Sequence, residues 1–203
     1  MTDKYAPQAE SWSEDAYADA RNYLAHRAEL VTSLGPPLRD GDTVLDLACG
    51  DGGLAEYLPG LKYLGVDASP EMVEAGVRRG RAVVLGDLNE YEPAEPVAAT
   101  TCFRAIYYAR DRAAFFERVA GYTDRKLVFD LNPRQYRVDD VRRDLRAAGF
   151  DRLELHPFFS PQRVSLAGPA ARALRVLEHA GPLARLVLAV RFSYLCAAFR
   201  GGR

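Results

Sequence analysis

The stretch Val44–Leu58, VLDLACGDGGLAEYL, constrains this chain more than any other. An apolar run ends at Asp46 and Leu47, three glycines (Gly50, Gly52, Gly53) occupy the next four-residue window after Cys49, and a helical pattern follows. Glycines directly after a strand let the main chain approach a ligand closely, because no Cβ intervenes and positive φ is allowed, and a helix start behind them offers N–H donors. A dinucleotide-type loop would read G-x-G-x-x-G with pyrophosphate at the helix start. Here an acid precedes the loop and Asp51 sits inside it. Two carboxylates would repel a pyrophosphate and suit instead a ligand's ammonium or ribose hydroxyls.

The pattern around this loop alternates. Residues 14–34 place Tyr17, Leu24, Leu30 and Val31 on one face at helical spacing, and Gly35-Pro36-Pro37 ends the segment. Strands are expected at Thr43–Leu47, Lys62–Asp67, Ala82–Asp87, Val97–Phe103, Lys126–Leu131 and Asp151–Phe159. Helices fall between them: about Gly53–Leu58, one opening at Ser69-Pro70-Glu71 with serine as cap, Arg110–Thr123, and Val138–Phe150 with Gly149 near its end. Short, nearly continuous apolar strands alternating with helices predict a parallel sheet covered on both faces, with ligands beyond the carboxyl ends of its strands.

Three marks at consecutive strand ends then coincide. Asp46-Leu47-Ala48-Cys49-Gly50-Asp51-Gly52 closes strand one, Asp67 closes strand two, and Asp87 with Leu88 follows strand three. Together they resemble class I S-adenosylmethionine-dependent methyltransferases, whose first motif is D-x-G-x-G-x-G; Ala48 stands where the first glycine usually does. The resemblance spans about Asp40 to Phe150. It implies a Rossmann-like, doubly wound, mostly parallel seven-stranded α/β sheet with helices on both faces and an N-terminal helical lid. The antiparallel seventh strand would be RFSYLCAAFR, residues 191–200. Residues 1–203 read as one methyltransferase domain: 1–40 the lid, 41–155 the cofactor-binding core, 156–203 the C-terminal strand and helix elements.

The same resemblance implies S-adenosyl-L-methionine as cofactor, with S-adenosyl-L-homocysteine as product. Its binding residues would be Asp46, Ala48, Cys49, Gly50, Asp51, Gly52, Asp67, Ala68, Met72, Asp87, Leu88, Cys102 and Phe103. Asp67 would accept both ribose hydroxyls, since one carboxylate offers acceptors to two neighbouring donors; Asp87 would take the adenine amine. The acceptor would meet Tyr17, Arg21 and Tyr23 from the N-terminal segment, with Trp12 beside them, and Arg104, Tyr107 and Tyr108 after strand four. His156, opening the loop after strand six, is the candidate catalytic base for a phenol or alcohol acceptor, because an imidazole titrates near neutral pH. Methyl transfer from a sulfonium needs mainly in-line positioning and exclusion of water.

Charge and composition narrow the partners. Residues 1–100 hold 18 acidic and 8 basic side chains and residues 101–203 hold 10 and 19, so the net charge of −1 conceals a polarity. The basic end carries Arg163, Arg172, Arg175, Arg185, Arg191, Arg200 and Arg203 against one acid, Glu178, and suits a solvated face or a weak contact with a lipid surface. Arg185 and Arg191 interrupt the apolar run 182–199, which argues against a transmembrane span. Cys49, Cys102 and Cys196 lack metal or disulfide spacing, so no metal site is expected, and residues 1–15 lack a basic region followed by an apolar stretch. A cytoplasmic location is expected, with the protein a monomer or homodimer. Asn132-Pro133 resembles the N-P-P-Y of enzymes that methylate nucleic-acid bases, but Arg134 follows and the motif trails strand five rather than four, so nucleic acid is disfavoured. The expected activity is methyl transfer to a small natural-product, quinone-like or lipid-like acceptor. Two alternatives stay open: a nicotinamide-dinucleotide-dependent oxidoreductase or epimerase, and an S-adenosylmethionine-binding protein without transferase activity.

Overall fold

A computed structural model describes residues 16–190 and 192–201. Trp12, Arg191, Arg203 and the 1–15 stretch lie outside the described residues.

Seven strands form one sheet: β1 (Thr43–Leu47), β2 (Lys62–Asp67), β3 (Val83–Leu85), β4 (Val97–Cys102), β5 (Thr123–Leu131), β6 (Arg152–Phe158) and β7 (Ser193–Phe199). Their spatial order is β3-β2-β1-β4-β5-β7-β6. Pairings are parallel except for β7, which runs antiparallel between β5 and β6. The order reverses at β1/β4, and Leu47, Val66 and Cys102 share one level of the register, so the chain leaves β1, β2 and β4 at the same edge. Because β7 is drawn from the C-terminal segment, residues after 156 belong to the same sheet as the core.

Alternate residues of the inner strands feed two cores. On one face Leu45, Leu47, Cys102, Leu127 and Phe129 meet Phe115 and Phe116 of α3 (Arg112–Tyr122) and Val141 and Leu145 of α4 (Val138–Ala147). On the other, Val44, Ala99, Val128 and Ala197 meet Tyr23, Leu24, Ala28 and Val31 of α1 (Ala20–Ser33). The helix α2 (Pro70–Arg78) starts at the Ser69 cap. Two further helices, α5 (Gly168–Glu178) and α6 (Pro182–Val190), precede β7.

The expected lid is therefore, over its described helix, a seated layer of the core. Besides its apolar face, α1 is fastened at its C-terminal end by the buried Lys126 ammonium of β5, which donates to Leu34 O at 2.6 Å and Thr32 O at 3.4 Å. A cation at a helix C-terminus is favourable to the helix dipole. β3 is three residues rather than six, its ladder with β2 running over Val83–Leu85 alone. The helix after the glycine loop is a five-residue 3-10 turn, Gly53–Tyr57.

Candidate active site

The loop after β1 bends through three left-handed residues, Ala48 (φ 57°), Gly50 (φ 62°) and Gly52 (φ 73°). Glycine takes this conformation freely and alanine at a cost. A Cβ on Gly52 would also lie 2.8 Å from Val83 Cγ2. The loop is pinned to β2: Cys49 N donates to Val66 O at 3.1 Å and Gly50 N to Asp67 Oδ2 at 2.7 Å. Asp67 Oδ1 accepts Ser69 N at 3.0 Å. Burial raises the Asp67 pKa, with the N–H groups of Ser69, Gly50 and Ala68 opposing. A carboxylate has about four acceptor positions, so each oxygen keeps capacity for one further donor.

Asp46 is 4% exposed and holds hydrogen bonds from Thr101 Oγ1 (2.6 Å) and Tyr63 Oη (2.8 Å). Burial pushes its pKa up to about 6, against those two bonds. Asp87 Oδ1 accepts the main-chain and side-chain nitrogens of Asn89, both at 2.8 Å, and Oδ2 faces Arg110 Nη2 at 3.0 Å. Burial opposes, but the Asn89 bonds and the Arg110 charge leave the Asp87 pKa below its ordinary value.

Several expected ligand contacts are placed differently. Asp51 does not face the loop's open side: its carboxylate, 1% exposed, is gripped by Arg79 Nη1 (2.6 Å) and Arg81 Nη1 (2.8 Å). Cys49 turns its thiol beneath the loop, where a Cβ on Gly65 would come within 2.7 Å of Sγ, and burial raises its pKa well above the usual thiol value. Met72, Leu88 and Cys102 are buried side chains, so what they offer the edge is main chain, while Ala68 is exposed there.

The other half of the carboxyl edge, beyond β5, β6 and the start of β7, holds a cavity of about 260 Å³. Tyr23, Arg27, Arg104, Asp130, Phe158 and Arg163 line it. Its flank is closed by a strap: Ala18 N donates to Gln162 O at 2.8 Å, and Gln162 Nε2 to Ala16 O at 3.0 Å. Tyr17 stacks on Tyr23 at 4.3 Å between ring centroids, and burial raises the Tyr23 pKa to about 12. The expected acceptor residues thus divide. Tyr17, Tyr23 and Arg104 gather at this cavity with Phe103 behind Arg27. Arg21 lines a separate cavity of about 350 Å³ with Glu56, Arg79 and Arg81. Tyr107 and Tyr108, rings 4.4 Å apart, stand by Asp87, since Asn89 Nδ2 donates to Tyr108 O at 3.3 Å.

His156 is not in a loop. It lies within β6, paired with Leu195, because Pro157 continues the strand, which an edge strand tolerates. Its Nε2 is 3.4 Å from Glu178 Oε2, and His26 Nε2 is 3.1 Å from the same oxygen. Sequence reasoning missed Arg27, Tyr63, Thr101 and Asp130. Asp130 carried the available signal: like Asp67, it is an acid at the end of an apolar strand.

Residues 44–125 match a family model described as a methyltransferase domain. Over that span the chain is similar to the methyltransferase-domain family. The glycine loop, Asp67 and Asp87 all fall inside the matched span. The chain is 32% identical over 99 residues to dTDP-4-amino-2,3,4,6-tetradeoxy-D-glucose N,N-dimethyltransferase of Saccharopolyspora spinosa, a match covering 44% of this chain and 39% of that protein. The full fold also recurs in solved methyltransferase structures. A chain from the complex of the Haloferax volcanii Trm112 methyltransferase activator with a methyltransferase superposes with TM-score 0.63 at 19% identity, covering 96% of this chain and 98% of that one. Magnesium protoporphyrin IX methyltransferase from Synechocystis, solved with bound SAM, gives 0.60 at 17%, covering 91% and 83%.

Proposed function

We propose that the chain transfers the methyl group of S-adenosylmethionine to a small-molecule acceptor held in the cavity beside Tyr23 and Asp130. The observation that carries this reading is the Gly50–Asp67 contact: a left-handed glycine turn joined to a strand-end carboxylate that keeps acceptor capacity on both oxygens. That donor set fits the cofactor, because two remaining acceptors on one carboxylate match a vicinal diol and the glycines leave room for close approach. Asp87 Oδ2, which already accepts from Arg110, keeps one acceptor position for an exocyclic amine, and ionised Asp46 provides negative charge for an ammonium. When bound, the cofactor supplies a methyl group on a sulfonium. The chain's own part is positioning and exclusion of water, the latter by the strap of residues 16–18 against 160–163. With His156 turned toward Glu178, this reading asks no proton transfer of it.

Two relatives bear on the acceptor by name, one a nucleotide-linked amino sugar dimethyltransferase and the other a magnesium protoporphyrin IX methyltransferase. Both names denote small molecules. Calorimetric titration with S-adenosylhomocysteine and NAD, followed by an acceptor screen with methyl-labelled donor, tests the proposal. Binding of S-adenosylhomocysteine and label in a small-molecule fraction are expected. NAD binding alone would replace it with the dinucleotide reading, and binding without transfer to any acceptor class with the non-transferase one.

A further inference from the structure

We propose that the acceptor carries an oxyanion, a carboxylate or a phosphate, and that Arg27 anchors it. This rests on the methyl-transfer reading and deepens it.

Arg27 is 3% exposed, in the middle of α1, with its guanidinium carbon 4.5 Å from the Phe103 ring, 4.7 Å from Tyr23 and 5.6 Å from Phe158. A cation taken out of water needs compensation by opposite charge and by acceptors for its N–H groups. Among the described residues Arg27 has one hydrogen-bond acceptor and one ion-pair partner. Its Nη2 donates to Tyr23 Oη at 2.9 Å, and the nearest carboxylate oxygen, Asp130 Oδ2, is 3.6 Å away, too far for a direct hydrogen bond. Its Nε has no hydrogen-bond partner among the described residues. Asp130 is itself shared, since Oδ1 accepts the Arg104 N–H. A guanidinium with an unpartnered Nε–H can take an oxygen of a carboxylate or phosphate in a charge-assisted hydrogen bond.

The cavity beside it has the matching charge. Arg27, Arg104 and Arg163 line it against Asp130 alone, and the Ser160 and Ser193 residues add polar wall. Arg104 adopts φ 54°, a conformation unfavourable to a non-glycine residue, at the point where β4 hands the chain to this cavity. Aromatic faces from Tyr23, Phe158 and Phe192 provide room for a flat apolar body next to the charge. The cofactor's own carboxylate is the competing partner for Arg27, and the affinity of the Arg27→Gln variant for S-adenosylhomocysteine separates the two.

Calorimetric titration of the full chain with phenyl phosphate, benzoate and neutral benzamide, with and without S-adenosylhomocysteine, tests the assignment. The anions should bind at least about ten-fold more tightly than benzamide, the scale of hydrogen bonds to a charged group. Arg27→Gln and, separately, the exposed Arg163→Gln should each erase most of that preference and leave S-adenosylhomocysteine affinity near the native value. Preference for phenyl phosphate marks a phosphate acceptor and preference for benzoate a carboxylate, either one supporting the proposal. Should Arg27→Gln fail to fold, Arg163→Gln and Arg104→Gln carry the comparison. Equal binding of benzamide overturns the proposal, as does an Arg27→Gln variant that loses S-adenosylhomocysteine while keeping the anions. Native protein that binds anions but no S-adenosylhomocysteine leaves an anion cavity, removes the methyl-transfer reading and overturns the cavity's assignment to an acceptor.

Discussion

Asp67 Oδ2 accepts the Gly50 N–H at 2.7 Å, so the end of the second strand holds the turn that follows the first. One carboxylate thereby shapes the loop and, on the proposed function, binds the ribose. Asp67→Ala should keep the fold, by circular dichroism, and weaken S-adenosylhomocysteine by ~1–3 kcal/mol, the scale for a buried polar group left unpaired. Unchanged affinity by calorimetry would take Asp67 out of the site.

Ala48 stands at φ 57° where glycine carries no strain. Relief of a left-handed alanine is worth ~1–2 kcal/mol, partly offset by the greater freedom of glycine in the unfolded chain, ~0.4–1 kcal/mol. Ala48→Gly should therefore stabilise the protein by ~0.5–1 kcal/mol in urea unfolding. A destabilised variant would refute the strain.

Gly65, inside β2, is the space into which Cys49 turns. Its added Cβ would meet Cys49 Sγ at 2.7 Å and Tyr63 Cε1 at 3.0 Å. Gly65→Ala should destabilise by ~1–3 kcal/mol as overpacking does, and should loosen S-adenosylhomocysteine by displacing the loop. Adding Cys49→Ala should restore much of the loss; strictly additive effects would mean that the two residues do not oppose each other.

Glu178 lies 3% exposed between His26 and His156 and also accepts the Phe159 N–H at 2.6 Å. Burial works against its ionised form, yet the adjacent His156 and His26 rings and the Phe159 N–H prevail and its pKa is lowered. A carboxyl group with a depressed folded pKa contributes stability above its unfolded value, about 4.3, and loses it as pH falls through the folded value. Glu178→Gln should thus cost ~1–3 kcal/mol at neutral pH, the scale for buried polar groups left unpaired, with the difference shrinking below about pH 4. A gap independent of pH would contradict the assignment.

Asp46 runs the other way. Its pKa of about 6 means that its negative charge develops as pH rises through that value. If this charge attracts the cofactor's ammonium, S-adenosylhomocysteine affinity should climb between about pH 5 and pH 7 and then level, with a proton released on binding. Asp46→Asn should flatten the profile, and an unchanged slope would assign the dependence elsewhere.

The sequence was most legible where residue type alone decides. β1 and β2 begin and end where their apolar runs suggest, and Ser69 caps α2 as its type demands. Pattern failed where tertiary context overrides it. His156 reads as opening a loop, but the strand runs on through Pro157 to Phe158, which a sheet edge tolerates. Asp51 reads as a ligand contact until Arg79 and Arg81, from beyond the next helix, are seen to claim it. Arg27 carries no signal of its own in the sequence; only the folding of Tyr23, Phe103 and Phe158 around it makes it a buried cation.

On the proposed function the glycine turn, Asp67 at the end of β2 and Asp87 after β3 enclose one adenosyl compound, and a crystal structure with S-adenosylhomocysteine tests this most directly. It should show both ribose hydroxyls on the Asp67 carboxylate and the adenine amine at Asp87. A ligand bound elsewhere, or with its ribose turned from Asp67, would contradict it.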